Sequence, residues 1–217
     1  MEEQRSTGVG AVRIKKRGRP SGIISADIRT VILDEARKLF VVYGYEATSI
    51  SAIATPSKIV PNTVYYYFAS KEILWREIYQ EAKQVVWDGL NEAAVVDKPL
   101  VESLLQSAEA AITLREKFPY RTEFLYRAAA EAVFNPSLAD IQIDRLRNQE
   151  AFFEKFAKRG LESGELAKLG SLTNATRTLQ LLVMGFFFES HGAINESVQV
   201  RDEMLKAIRH LVAIMGE

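Results

Sequence analysis

Helical periodicity is the feature that most constrains the fold of this 217-residue chain. From Ile28 onward, apolar residues recur at steps of three and four, the spacing that places them on one face of an α-helix. Proline, glycine and asparagine interrupt the pattern at intervals, and no stretch shows the strict alternation of a half-buried strand. The sequence therefore predicts an all-α protein with about nine helices.

The first two helices are delimited by residues that cap or break helices. Ser25 is suited to cap the first helix, and Gly44 is suited to close it. Thr48 or Ser49 can cap a second, short helix. This helix must end near Pro56, because a proline disfavours helical geometry in the residue before it.

The same signals divide the rest of the chain. Pro61 suits the first turn of a third helix, and Ser70 suits the cap of a fourth, longer one. Later breaks predict helices near 99–117, 119–134, 137–163, 171–191 and 196–215.

Composition excludes several classes of protein. The chain has no cysteine and two histidines, so disulfides, thiolate metal sites and histidine-based catalysis lose their usual residues. No paired carboxylates, nucleophile or metal cluster emerges, and we expect no enzyme, no metal and no cofactor. The longest nearly apolar run, 179–188, is about half of the roughly 20 residues that cross a bilayer, which predicts a soluble, cytoplasmic protein without a membrane partner.

The formal net charge of zero hides an uneven distribution. Residues 1–71 contain eleven Lys and Arg against six Asp and Glu, and the remainder contains seventeen against twenty-two. Residues 1–24 lack apolar periodicity and are predicted to form a disordered basic arm. Such a cluster can seek phosphates, although it can also be a solvated tail. Its five closely spaced cations are Arg13, Lys15, Lys16, Arg17 and Arg19.

The second and third helices, joined by a tight turn, form the frame of a helix-turn-helix unit, whose later helix lies in the major groove. That helix is too short to bury three tyrosines, so their hydroxyls can reach phosphates and their rings can pack on thymine methyls. Val64 and Phe68 are expected to face the small core instead. The alternative is that the tyrosines only fill core or surface. The predicted DNA-facing residues of this helix are Asn62, Thr63, Tyr65, Tyr66 and Tyr67.

The stretch from Thr63 to Phe68, followed by Ser-Lys-Glu at 70–72 and Leu74, resembles the most recognisable part of the TetR family of bacterial transcription regulators. Residues 44–50 and 53–54 are also similar to that family, and the resemblance covers roughly 28–78. It implies a DNA-binding domain at 25–72 and a helical ligand-binding and dimerisation domain at 73–217.

The resemblance also implies a backbone phosphate contact for Lys71. A cation in the first turn of a helix opposes the helix dipole, and a phosphate partner would account for that placement. Thr48 and Ser49 can offer hydroxyls or amides to a phosphate, although capping explains them equally well.

Two positions depart from the family pattern. Lys58 stands where the family usually has glycine in the turn, which predicts a longer or differently shaped turn, since a non-glycine residue with positive φ is uncommon. Val60 stands where a serine often caps the recognition helix, so the cap hydrogen bond should be missing. This puts the contacts of Pro61 and Asn62 in doubt.

The arm adds a second possible contact with DNA. Residues 16–20, Lys-Arg-Gly-Arg-Pro, resemble the core of an AT-hook. In such a core, arginines on either side of a glycine enter a narrow A·T minor groove. We therefore predict minor-groove binding by Arg17 and Arg19.

The last two helices are apolar over wide arcs, as expected of helices buried on more than one side. Paired with their symmetry mates they would form a four-helix dimer interface; alternatively, they are central in the monomer. The predicted interface residues are Leu179, Leu182, Phe186, Met204, Ile208, Leu211 and Met215.

Aromatic residues concentrate between 118 and 156, where they suit a small apolar or aromatic effector. Arg115, Arg121 and Arg127 can hold a carboxylate or phosphate. An aromatic core with solvated arginines is an equally good reading. The predicted ligand-binding residues are Trp87, Phe118, Arg121, Phe124, Phe152 and Phe156.

Together these features predict a homodimeric transcriptional regulator that binds double-stranded DNA at a palindromic operator and acts as a ligand-responsive repressor. The alternative is a DNA-organising or division-associated protein of the same fold without an effector. A third possibility, an enzyme or a carrier of apolar molecules, has no supporting motif.

Overall fold

The computed structural model describes residues 25–94, 98–192, 202–203, 206–210 and 213–214, with side chains at 27–94, 98–185 and the last three ranges. These residues contain no strand, and the prediction of an all-α fold is confirmed. Arg17, Arg19, Met204, Leu211 and Met215 lie outside the described residues, as does the side chain of Phe186. The helices are α1 Ser25–Ala47, α2 Ile50–Ala54, α3 Pro61–Tyr67, α4 Lys71–Ala93, α5 Leu100–Lys117, α6 Pro119–Phe134, α7 Ala139–Glu162 and α8 Leu172–Gly192. Short 3₁₀ turns occupy Pro136–Leu138 and Ala167–Leu169, and residues 202–203, 206–210 and 213–214 are also helical.

Local capping explains why the helices begin where the sequence predicts. The Ser49 hydroxyl oxygen accepts from the Ala52 amide at 3.1 Å, and that of Ser70 accepts from the Ile73 amide at 3.1 Å. Pro61 lies in the first turn of α3, and Val60 provides no side-chain cap, as predicted. Each of these starts depends on contacts within one turn, which is why the sequence reveals them.

The turn between α2 and α3 differs from the prediction. The amides of Lys58 and Ile59 donate to the carbonyls of Thr55 and Ala54, both at 3.1 Å, which is the hydrogen-bond pattern of a Schellman motif. Lys58 takes the left-handed conformation, with φ of 55°, that glycine usually supplies in this motif. The expectation of a longer turn is therefore wrong, because lysine accepts the strained conformation and the turn stays tight.

A first core lies beneath the helix-turn-helix unit. Val64 and Phe68 are fully buried in it, as predicted for the inner side of α3. Phe124 of α6 packs there as well, with ring centroids 5.3 Å from Trp75 of α4 and 6.3 Å from Phe40 of α1. The core beneath the helix-turn-helix unit is thus closed by residues well beyond the predicted boundary at 72, and that boundary stays a prediction.

A second core lies among α5, α7 and α8. Its buried members include Leu104, Phe152, Phe156 and Leu179, and Trp87 of α4 packs against it with its ring centroid 5.5 Å from that of Phe152. Helix α4 therefore contributes to both cores, since residues 74–82 belong to the first and Trp87 packs on the second.

Candidate nucleic-acid interface

Helix α3 presents two different faces. Val64 is buried against the first core, whereas Asn62, Tyr65 and Tyr66 are exposed. The exposed fraction is 51% for Tyr65 and 83% for Tyr66. Positions 62, 65 and 66 are three and four residues apart, so they share one side of the helix. This side offers an amide and two phenol hydroxyls to a ligand outside the protein.

The other two predicted residues of α3 are less accessible. Thr63 and Tyr67 are half-buried, and Tyr67 packs against the first core. The Tyr67 ring also lies edge-to-face against Tyr66, with centroids 5.2 Å apart. Tyr67 thus supports the ring of Tyr66 and has less surface of its own to offer.

The charge around α3 favours an anionic partner. The sequence contains no Asp or Glu between Glu46 and Glu72, whereas Lys58 and Lys71 lie in that interval. An acid-free stretch with two cations and several hydroxyls suits a phosphate backbone, which attracts positive charge and accepts hydrogen bonds.

Lys71 has a structural role that the sequence did not reveal. Its ammonium donates to the Tyr45 carbonyl at 2.8 Å and lies 4.3 Å from the centre of the Tyr45 ring, within cation–π range. Burial raises the pKa of the Tyr45 hydroxyl, which keeps the ring neutral. This contact ties the start of α4 to the end of α1 and accounts for a cation in the first turn of α4 without a phosphate. The phosphate contact itself stays a prediction.

The two candidate phosphate ligands before α2 have different surroundings. Thr48 is buried, and its hydroxyl donates to the Gly44 carbonyl at 2.7 Å. A phosphate cannot reach that hydroxyl, so the proposed role of Thr48 as a hydroxyl donor to DNA must be corrected. Ser49 is exposed; its oxygen caps α2 while its hydroxyl hydrogen can still donate outward.

The six predicted ligand-binding residues do not converge on one site. Phe124 is buried in the first core, while Trp87, Phe152 and Phe156 pack together in the second. The Arg121 guanidinium lies 5.2 Å from the ring centre of Phe118, and it donates to Glu81 at 2.5 Å. The grouping is corrected accordingly, because the first core needs Phe124 and an ion pair already occupies Arg121.

The predicted dimer residues are also divided. Leu179 and Ile208 are buried within the chain itself, at 1% and 3% exposure, and Leu182 is half-buried. Leu179 and Ile208 therefore have almost no surface left to contribute to an interface. Among the described side chains of α8, Leu181 is the most exposed large apolar one, at 74%. The apolar arc of α8 is so wide that sequence alone could not distinguish its inner side from its outer side.

Two negative findings apply to the part of the chain that the structure describes. No helix there has the length and apolar character to cross a membrane. Nor does that part contain a group of three or more His, Cys, Asp or Glu side chains placed to hold a metal ion.

The helix-turn-helix geometry coincides with a known protein family. The family model described as bacterial regulatory proteins, tetR family, matches residues 32–78, which extend from α1 into α4. Over these residues the chain is similar to TetR-family proteins, which the model describes as regulatory proteins. The resemblance seen in the sequence is thereby confirmed for the helix-turn-helix domain.

Two HTH-type transcriptional regulators match in sequence and one solved structure matches in fold. The uncharacterized HTH-type transcriptional regulator YhgD of Bacillus subtilis is 28% identical over 93 residues, which are 43% of this chain and about half, 49%, of that protein. The HTH-type transcriptional regulator UidR of Escherichia coli K12 is 25% identical over 158 residues, 71% of this chain and 76% of UidR. Salmonella enterica GusR has a TM-score of 0.65 at 24% identity and covers 85% of this chain and 95% of its own. The similarity in fold therefore extends well beyond the residues that the family model matches.

Proposed function

We propose that this TetR-family regulator is a homodimeric, ligand-responsive repressor that binds a palindromic operator. The observation that carries the proposal is the outward side of α3, where Asn62, Tyr65 and Tyr66 are exposed within a stretch of sequence that has no acidic residue. An α-helix with such a side fits the major groove, where amides read base edges and hydroxyls contact phosphates.

The arrangement as a homodimer is proposed from the geometry of DNA. One seven-residue helix contacts only a few base pairs, whereas two copies about 34 Å apart read successive major grooves on one side of the duplex. A two-fold axis relating the copies requires a palindromic site. The exposed Leu181 of α8 supports an apolar contact between copies.

The response to a ligand is proposed from the course of α4. Trp75 of this helix is buried in the first core beneath α3, and Trp87 packs on Phe152 in the second. A small apolar or aromatic effector bound against Trp87, Phe152 and Phe156 would displace α4 and, with it, the helix-turn-helix unit. Repression is the simplest outcome, because a dimer bound at a promoter excludes other proteins. The dimer would release the promoter when the effector lowers its affinity for the operator.

A selection of bound sequences from random double-stranded DNA tests the proposal. We expect a palindrome with two half-sites one helical turn apart, and a panel of small apolar metabolites should contain a compound that weakens binding. Asymmetric selected sites would reject the dimeric operator. If no compound changes DNA binding and the protein occupies hundreds of scattered sites in the genome, the alternative of a DNA-organising protein would be favoured.

A further inference from the structure

Helix α1 is broken at its C-terminal end, next to α6. Gly44 has φ of 85° and ψ of 172°, so the helical path stops there, and the chain resumes for one short turn that ends at Ala47. In a continuous helix the Tyr45 amide would donate to the Val41 carbonyl. The break separates these two groups, and each needs a new partner because it is partly buried.

Two side chains of α6 replace the lost helical hydrogen bond. The Tyr45 amide donates to Oε1 of Glu131 at 3.0 Å. The Val41 carbonyl accepts from Nη1 of Arg127 at 2.5 Å, and the Val42 carbonyl lies 3.3 Å from the same nitrogen. Arg127 and Glu131 are one helical turn apart and pair with each other at 3.6 Å between Nε and Oε1. We call these two residues the α6 latch.

Glycine is required where the α6 latch meets α1. A Cβ atom on Gly44 would lie 2.6 Å from Oε1 of Glu131 and 3.2 Å from Nη2 of Arg127. The positive φ at this position also disfavours other residues. The broken end of α1 therefore lies directly against the ends of the Arg127 and Glu131 side chains.

The chain that emerges from the latch leads directly into the DNA-binding unit. The Tyr45 carbonyl receives the Lys71 ammonium, and the Glu46 carboxylate accepts from Asn135 at the end of α6, at 3.3 Å. The Thr48 hydroxyl donates to the Gly44 carbonyl, and Ser49 then starts α2. The direction in which α2 and α3 leave α1 thus depends on how the break is held.

We infer that Arg127 and Glu131 are positioning residues for DNA binding, which fix the helix-turn-helix unit relative to α6 through the broken end of α1. This route acts in addition to α4, which connects the same unit to the second core. Neither residue contacts DNA in this arrangement; both act through the backbone of residues 41–45. The inference rests on the proposed function in assuming that an operator can be selected and that two copies bind it.

Three substitutions in the full-length protein test the latch on the operator selected by the wild type. Arg127→Met removes both carbonyl contacts, and Glu131→Ala leaves the Tyr45 amide unpaired. We expect each to lower operator affinity about tenfold or more, since each removes a hydrogen bond to a charged group that holds the broken end of α1. Glu131→Gln keeps an oxygen that accepts from the amide, so its affinity should stay near that of the wild type.

The salt dependence of binding distinguishes positioning from contact with DNA. Each lost phosphate contact lowers the slope of log affinity against log salt by about 0.9. We expect the slope to be unchanged in Arg127→Met, because no phosphate contact is removed. A slope reduced by about one would show that Arg127 touches DNA and would overturn the inference.

A spin label reports the position of the recognition unit. The chain has no cysteine, so Val60→Cys, at an exposed position just before α3, provides a single attachment point. The distribution of distances between labels in the two copies should broaden in Arg127→Met and stay narrow in Arg147→Gln. Arg147 is the control, because it is an exposed arginine of α7 and its substitution removes the same charge.

The outcomes are separable. If Arg127→Met does not fold, Arg127→Lys is tested in its place. The lysine ammonium can reach one carbonyl but lacks the planar guanidinium, so we expect a smaller loss of operator affinity. No loss of affinity in Arg127→Lys would then reject the latch. If the wild type binds its operator and Arg127→Met and Glu131→Ala bind it equally well, the latch is rejected and the proposed function stands. A wild-type protein that selects no sequence would reject the proposed function and the latch with it.

Discussion

Lys58 shows how a single residue can depart from a pattern while the geometry is kept. It holds the left-handed conformation in the turn between α2 and α3, and its side chain is exposed. For a residue with a Cβ this conformation costs about 1–2 kcal/mol, because the side chain crowds the following carbonyl. The hydrogen bonds of the turn and the packing of Ile53 and Val64 beneath it outweigh that cost.

Relief of this strain gives the first prediction. Lys58→Gly should raise the free energy of unfolding by about 0.5–1 kcal/mol relative to Lys58→Ala, since glycine adopts positive φ without strain. Part of this gain is lost because glycine also increases the conformational entropy of the unfolded chain. Both variants lack the cation, so charge does not affect the comparison. Urea denaturation measures the difference, and equal midpoints at equal slopes would show that the turn is not strained.

Asp140 gives a prediction about pH. The Arg76 guanidinium donates to both oxygens of the Asp140 carboxylate, at 2.7 and 2.9 Å, and this hydrogen bonding holds the pKa of Asp140 below its usual value. A carboxyl whose pKa is lower in the folded state contributes stability above its unfolded pKa of about 3.9 and loses it as the pH falls through the folded value.

Asp140→Asn should therefore destabilise the protein at pH 7 and have almost no effect near pH 2. The difference at pH 7 should be no more than about 1 kcal/mol, because the Asp140 side chain is mostly exposed and water screens the pair. Thermal unfolding at both pH values measures it, with Asp88→Asn on α4 as the control for loss of one negative charge. A deficit that persists at the acid end would contradict the assignment.

At the scale of the element, α3 separates stability from recognition because its two sides face different surroundings. Val64 is fully buried under it, and Tyr66 is the most exposed of its three tyrosines. A short helix of this kind cannot be stable alone and depends on its inner side for its conformation.

Substitutions on the two sides of α3 should affect different properties: stability on the inner side and operator binding on the outer side. Val64→Ala should lower the free energy of unfolding by about 2 kcal/mol, from lost burial plus a cavity, while the folded protein still binds its operator. Tyr66→Ala should leave stability nearly unchanged and weaken operator binding by about 1–3 kcal/mol. Tyr120→Ala, at an exposed tyrosine of α6, is the control. Equal binding by Tyr66→Ala and Tyr120→Ala would remove the outer side of α3 from the DNA interface.

The positions of helices were predictable for a local reason. Ser49, Pro61 and Ser70 act within the turn that they begin, so each signal is complete in the sequence. The choice between Thr48 and Ser49 as the cap of α2 could not be predicted, because both residues carry a hydroxyl group. Tertiary packing decided it, since Thr48 is buried in the folded protein whereas Ser49 stays exposed at the start of α2.

At the scale of the whole molecule, two cores share α4, and the basic arm precedes them in the sequence. Arg17 and Arg19 lie outside the described residues, and their role in the minor groove stays a prediction. A cationic arm adds phosphate contacts that are independent of the helix-turn-helix unit.

Removal of residues 1–20 should reduce operator affinity most where the flanking sequence is A·T-rich, because the narrow A·T groove concentrates negative potential. The salt dependence of binding should also become less steep, since fewer counterions are released. Binding measured on operators with A·T and G·C flanks, at several salt concentrations, provides both readouts. Equal losses on the two flanks would reject the minor-groove role.

The sequence by itself determined the all-α fold, the limits of the helices and the outward placement of Tyr65 and Tyr66, because periodicity and capping act between residues a few positions apart. Only the tertiary structure decided which apolar and charged residues meet. It placed Phe124 in the first core and Phe152 in the second, turned Leu179 inward and Leu181 outward, and set Arg127 and Glu131 against the broken end of α1. These pairings join residues as many as 86 positions apart, and the spacing of residues along a chain does not specify which distant helix faces will pack together.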